Sequence, residues 1–163
     1  MTDHTVRLVV PEPQLVIVDA DRAGLPAVLV LNEALLSFAH FALFPWHLRV
    51  VLEAADLAEH GMPTSDESRL LFSIGDHIEA AVVGCQTETG GKNALFLARV
   101  TWNAERELHF QVHNPEIANQ LLQRIVESEH WERHWRYEMR FDEDWSAAAP
   151  FFQLLASAHG VDA

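Results

Sequence analysis

Apolar residues recur at every second position in Trp46–Glu53, with Trp46, Leu48, Val50 and Leu52 on one face and His47, Arg49 and Val51 on the other. That is the period of a strand with one side in a core. The same alternation sets Leu108, Phe110 and Val112 against His109, Gln111 and His113. It returns where Tyr137, Met139 and Phe141 alternate with Arg136, Glu138 and Arg140. Between these runs the period lengthens to that of a helix. Leu70, Ile74, Ile78 and Val82, reinforced by Leu71 and Ala81, predict a helix that opens with the capping box Thr64-Ser65-Asp66-Glu67 and stops at Gly84. A second helix is predicted from Asn114-Pro115 onward, with Ile117, Ala118, Leu121, Leu122 and Ile125 as its buried stripe. Ala94–Trp102 reads as a further strand, parted from Leu108–His113 by the polar break Ala104-Glu105-Arg106-Glu107.

The flanks are less regular. Val6–Val10 reads as a short strand broken by Pro11 and Pro13. Gln14–Asp19 and Pro26–Leu31 are apolar runs on either side of Ala20–Gly24, a hairpin whose strands lack alternation and so call for cover on both faces, by a helix, a fold-back or a second subunit. Asn32 can cap a short helix through Leu36. Near the C-terminus, Asp142 or Asp144 caps a helix bearing Trp145, Ala148, Ala149, Phe152 and Leu155, in which Pro150 marks a kink or a fresh start. From Trp46 the order is β-α-β-β-α-β, the ferredoxin-like α+β plan: an antiparallel sheet with helices on one face, preceded by a β-hairpin and followed by a C-terminal helix. Right-handed crossovers put both central helices on the same side and leave the other face open. One domain is expected over residues 1–163: an N-terminal extension (1–12), the hairpin and a short helix or loop (13–45), the ferredoxin-like core (46–142) and the C-terminal helix (143–159).

Three phrases carry a resemblance: Gly61-Met62-Pro63-Thr64 before the first long helix, Ala98-Arg99-Val100-Thr101-Trp102 running on to Glu107-Leu108-His109-Phe110, and Phe141-Asp142-Glu143-Asp144-Trp145 before the last helix. In their order and spacing, over roughly Pro13 to Leu155, the chain resembles the bacterial domain of unknown function family 695. That resemblance implies a fold related to the regulator of ribonuclease E activity B, a non-catalytic protein that inhibits by binding. It implies no catalytic or binding residues.

Charge narrows the choice of partner. Eleven basic residues, ten Arg and Lys92, against twenty-four acidic ones give a net charge of −13, which repels phosphate backbones over the molecule as a whole. The single Cys85 fits a reducing compartment, and no apolar run nears the roughly 20 residues of a membrane span, so a cytoplasmic location with no membrane partner is expected. Gly90-Gly91 lacks the spacing of a phosphate loop. His130 and His134 stand four apart where the helix is ending, and His109 and His113 are too far apart along a strand to share one ion, so no metal and no cofactor is expected. Asp142-Glu143-Asp144 is explained by capping, and no hydrolase or dehydrogenase motif is present, so no catalytic residue is assigned.

The open sheet face holds the candidate site: His47, Arg49, His109, Gln111, His113, Arg136 and Arg140, with Arg99 if its strand keeps phase. Concentrated basic residues in so acidic a chain suggest a surface for an acidic ligand, with histidines adding charge as pH falls. The expected function is that of a non-enzymatic regulatory or protein-interaction domain, with a protein partner and a possible homodimer. RNA binding on the open sheet is the alternative, disfavoured by the charge and by the lack of aromatic residues at the stacking positions. An enzyme of unknown class comes third.

Overall fold

Six strands and three helices form in the order β1 (Leu15–Arg22), β2 (Leu25–Asn32), β3 (Trp46–Glu53), α1 (Ser65–Gly84), β4 (Ala94–Trp102), β5 (Glu105–Val112), α2 (Pro115–Ser128), β6 (Trp135–Phe141) and α3 (Ala149–Ala158), in a computed structural model that describes residues 8–128 and 130–158. The strands make one antiparallel sheet ordered β1-β2-β4-β5-β3-β6. The expected strand at Val6–Val10 is not formed over Leu8–Val10, and its first two residues lie outside the described ones. The C-terminal helix begins at Ala149, later than expected, because Asp142 caps a separate turn first; its side chain accepts from the amides of Ser146 and Ala147 at 2.8 and 3.0 Å. Pro150 therefore sits in the first turn of a new helix, where a missing N–H costs nothing. Among the described residues no helix is long and apolar enough to cross a membrane.

Two tight turns set the register. Ala23 and Gly24 have φ of 53° and 82°, the left-handed pair of a two-residue hairpin turn, so β1 and β2 run closer to the tip than the hydrophobic pattern indicates. Trp102 Nε1 donates to the carbonyl of Arg22 at 2.9 Å, and the Arg22 guanidinium lies 4.6 Å from the Trp102 ring centre, tying this tip to β4. Asn103 and Ala104, with φ of 46° and 66°, make the second turn. The polar break expected over Ala104–Glu107 is consequently only its first residue. Glu105, Arg106 and Glu107 are strand, pairing with Trp102, Thr101 and Val100.

A hydrophobic layer lies on each face. Leu71, Ile74 and Ile78 of α1 and Ala118, Leu122 and Ile125 of α2 pack on Leu48, Val50, Leu52, Phe96, Leu108 and Phe110. On the other face Trp145, Ala148 and Leu155 join Leu35, Phe38 and Phe44 over Leu29, Leu31, Leu97, Ala98 and Val100. Each such large side chain contributes about 1.5–3 kcal/mol when fully buried. The sheet face expected to be open is thus covered, because α3 and the 3₁₀ turns of residues 33–43 fold back across it. Asn32 does cap the first of these turns, accepting from Ala34 N at 3.2 Å. The hairpin neither lies across this face nor gains cover on both of its own. Val16, Val18 and Ala20 join the second layer, while Leu15 and Ile17 on the reverse are 56% and 73% exposed.

Thr64 opens α1 as expected, its Oγ1 accepting from Glu67 N at 3.2 Å. The reciprocal half of the capping box is absent. The Glu67 carboxylate turns instead to Arg133, at 2.6 and 2.8 Å, and to the amide of Ala55 at 2.6 Å, since a forked guanidinium is the stronger donor. Those bonds, from Arg133 first, hold Glu67 at about 2 against its burial. Thr64→Ala removes the cap together with the bond that the hydroxyl donates to Asp56 at 3.0 Å, and urea denaturation should show a loss of about 0.5–2 kcal/mol; an unshifted midpoint would mean that the helix start is held by Glu67 alone.

Candidate functional site: a buried polar row beneath a cleft

Alternation in β3 and β5 sends Leu48, Val50, Leu108 and Phe110 to α1 and α2, and sends His47, Arg49, Glu107, His109 and Gln111 to the side of α3. The register sets His47 opposite Gln111 and Arg49 opposite His109. These side chains form a continuous row. Gln111 Nε2 donates to the carbonyl of Phe44 at 3.4 Å, which turns its Oε1 to His47 Nδ1 at 2.5 Å. That ring nitrogen therefore carries the proton, and His47 Nε2 is left to accept from His109 Nδ1, 2.9 Å away. His109 Nε2 then stands 3.3 Å from Glu107 Oε1 but out of line for a hydrogen bond, so this buried nitrogen has no bonded partner among the described residues.

Burial dominates the electrostatics of the row. It drives the His47 imidazole down to about 4, outweighing the bond to Gln111 that favours its charged form. Burial would raise the Glu107 carboxyl too, yet the facing His109 and the guanidinium of Arg49 pull it down to about 2. Glu107 accepts from Arg49 Nε at 2.6 Å and from Arg22 at 3.1 Å, and Arg49 reaches Glu138 at 3.3 Å. A carboxylate this deep is tolerable only with such partners.

Between this row and α3 lies a cleft of about 1020 Å³, whose lining runs from Arg22 and Leu29 across His47, Arg49, Glu107 and His109 to Arg140 and to Phe151 and Leu154 of α3. The eight predicted site residues divide. His47, Arg49, His109 and Arg140 line the cleft, and Gln111 anchors the row behind it. Arg136 lies further along β6, on Glu53 and Glu105. His113 sits past the end of β5, its Nδ1 2.6 Å from the carbonyl oxygen of Leu43. Arg99 is on the opposite face altogether. The register of β4 shifts between Phe96 and Ala98, and after that bulge Arg99 points to Asp76 and Glu79 of α1 and to the ring of Phe72.

The expected local excess of positive charge is not what the cleft holds. Arg22, Arg49 and Arg140 are matched there by Asp21, Glu107 and Glu138. Nor can His47 gain charge near neutral pH, because its burial opposes the proton. Arg22, Glu107 and Phe151 went unrecognised as site residues. For Glu107 a signal existed, since counting back in twos from Gln111 through His109 reaches it.

Fold and site together define an α+β domain whose sheet is covered on both faces and whose second layer leaves a cleft over a buried polar row. The chain belongs to a family of unknown function (DUF695), whose model matches residues 19–155, from β1 into α3. No curated protein and no solved structure matches it.

Acid should destabilise the fold in a window that His47 defines. Its folded value of about 4 lies below its unfolded 6.5, so the unfolded chain takes up the proton first, and stability complete above pH 6.5 falls as pH drops toward 4. The loss should reach about 2–3 kcal/mol at pH 4.5. Glu67 and Glu107, with ordinary values of 4.5 and folded values of about 2, act mainly below that window. Urea denaturation from pH 7 to 4.5 should show the decline, and His47→Gln should flatten most of it; an equal slope in both proteins would place the titrating group elsewhere.

Proposed function

We propose that this chain is a non-enzymatic binding domain that receives an acidic group of a protein partner in the cleft beneath α3. One observation carries the reading. Arg22 and Arg49 are both engaged by Glu107, whereas Arg140, exposed at the cleft rim and opposite His47 in the register, has no carboxylate partner among the described residues. A guanidinium left free at the rim of a cleft with apolar walls, among them Phe151 and Leu154 of α3, suits a carboxylate flanked by hydrophobic side chains. The reading includes a ferredoxin-like plan for β3 through β6, which the neighbour order β4-β5-β3-β6 supports, and the fold kinship to the regulator of ribonuclease E activity B, itself a binding protein. A cytoplasmic setting belongs to it as well, supported by the single unpaired Cys85.

RNA binding has less support. The face on which bases would stack lies under α3 and residues 33–43, and Glu107 and Glu138 would confront phosphates. Arg49→Glu is a poor probe of either reading, since Arg49 is the counter-ion of buried Glu107. Arg140→Glu is a clean one. Short apolar peptides ending in a free carboxylate should bind better than their amidated forms, with affinity falling at least tenfold in Arg140→Glu and falling further as salt rises. Fluorescence polarisation with a peptide library measures this; equal binding of acid and amide forms, or indifference to Arg140→Glu, would overturn the proposal.

A further inference from the structure

β1 ends the sheet, and its outer backbone edge has no neighbour among the described strands. Which groups point that way follows from the hairpin. Gln14 bonds inward through both of its groups, its carbonyl accepting from Glu33 N at 2.8 Å and its amide donating to Asn32 Oδ1 at 3.0 Å. Arg22 pairs with Leu25 across the two-residue turn. In an antiparallel pair inward and outward bonding alternate, so Val16, Val18 and Ala20 also bond inward, while the N–H and C=O groups of Leu15, Ile17, Asp19 and Asp21 face outward. The residues with free backbone groups thus include the two whose side chains stand exposed, Leu15 and Ile17.

The two sheet edges are dressed differently. β6 carries Arg136, Glu138 and Arg140 at alternate positions, the charges that discourage strand addition. On β1 the charged residues Asp19, Asp21 and Arg22 gather at the turn end, and the other half is apolar. We infer that β1 pairs antiparallel with β1 of a second copy, joining two six-stranded sheets into one through Leu15–Asp19, with Ile17 opposite Ile17 of the other copy on the two-fold axis.

Self-pairing is what this strand fits. A two-fold axis normal to the sheet keeps like faces together, so each copy's Leu15 and Ile17 extend one apolar strip. The same register sets Asp19 opposite Leu15 rather than opposite another carboxylate, which avoids like-charge pairing on the ladder. It also gives β1 the edge neighbour it lacks within the chain. An acidic strand from a different protein would meet Asp19 and Asp21 less favourably. Both clefts would open on the same side of the joined sheet.

Sedimentation equilibrium at high micromolar concentration should give about twice the chain mass of 18.4 kDa. Ile17→Lys places a charge at the axis, and Ile17→Pro removes an outward N–H without touching the bonds to β2. Each should yield a monomer with an unchanged far-ultraviolet circular dichroism spectrum. Should Ile17→Pro fail to fold, Ile17→Lys decides alone, because its side chain is exposed in the monomer. A wild-type monomer at that concentration, a species larger than a dimer, or a dimer that survives Ile17→Lys would overturn the inference.

Discussion

The arrangement of this protein turns on one constraint: a row of polar side chains has been placed inside a sheet covered on both faces, and every member must find its bond there. An unpaired polar group in such a place costs about 1–3 kcal/mol, as much as a large apolar side chain contributes. From Phe44 O through Gln111 and His47 to His109 Nδ1 the bonds can run in only one order, which fixes the amide orientation of Gln111 and the tautomer of His47. The row ends on Glu107, and there the hydrogen-bond chain gives way to charge, with Arg49 and Arg22 closing on one carboxylate. Segment 33–44 matters for the same reason. It brings the Phe44 carbonyl to which both Gln111 and the Trp145 indole donate, so the row and the start of the C-terminal layer share one acceptor.

What was legible in the sequence follows from which forces are local. The bounds of β3 and α1 could be read because period and capping act within a few residues, and Thr64 and Gly84 mark α1 at both ends. The extent of β5 could not. Glu105, Arg106 and Glu107 look like a solvated turn, and only the left-handed pair Asn103-Ala104, together with partners 38 to 85 residues away, makes them strand. Arg106 illustrates the point: buried, pushed down to about 10 by that burial, it is held by Thr101, Ser68 and the ring of Phe72, with no carboxylate paired to it among the described residues. Local pattern carries no information about such distant partners.

The candidate site was half visible for a related reason. Alternation alone brings His47, Arg49, His109 and Gln111 to one face, and they do lie together. What alternation cannot supply is the cover, because nothing in the period of Phe152 or Leu155 says which face of the sheet the last helix chooses. That choice turns an exposed basic surface into a lined cleft. It also moves His47 from a group that would charge near neutrality to one that resists protonation down to about 4.

Arg99 shows how one backbone irregularity redistributes chemistry. Had β4 kept phase, Arg99 would have faced the cleft and given it a charge excess, and Ala98 and Val100 would have faced α1. The shift between Phe96 and Ala98 exchanges them. Ala98 and Val100 then complete the apolar floor under α3, and Arg99 goes to the acidic residues of α1, where it stacks on Phe72. A bulge costs a ladder position on a strand that is otherwise paired along both edges, so it persists because both faces gain. Ala98 is buried in that apolar layer, Val100 also lines the cleft, and the cleft is left with arginines and carboxylates in balance. Arg140, at the rim, has no carboxylate partner among the described residues and so stands apart from the paired arginines.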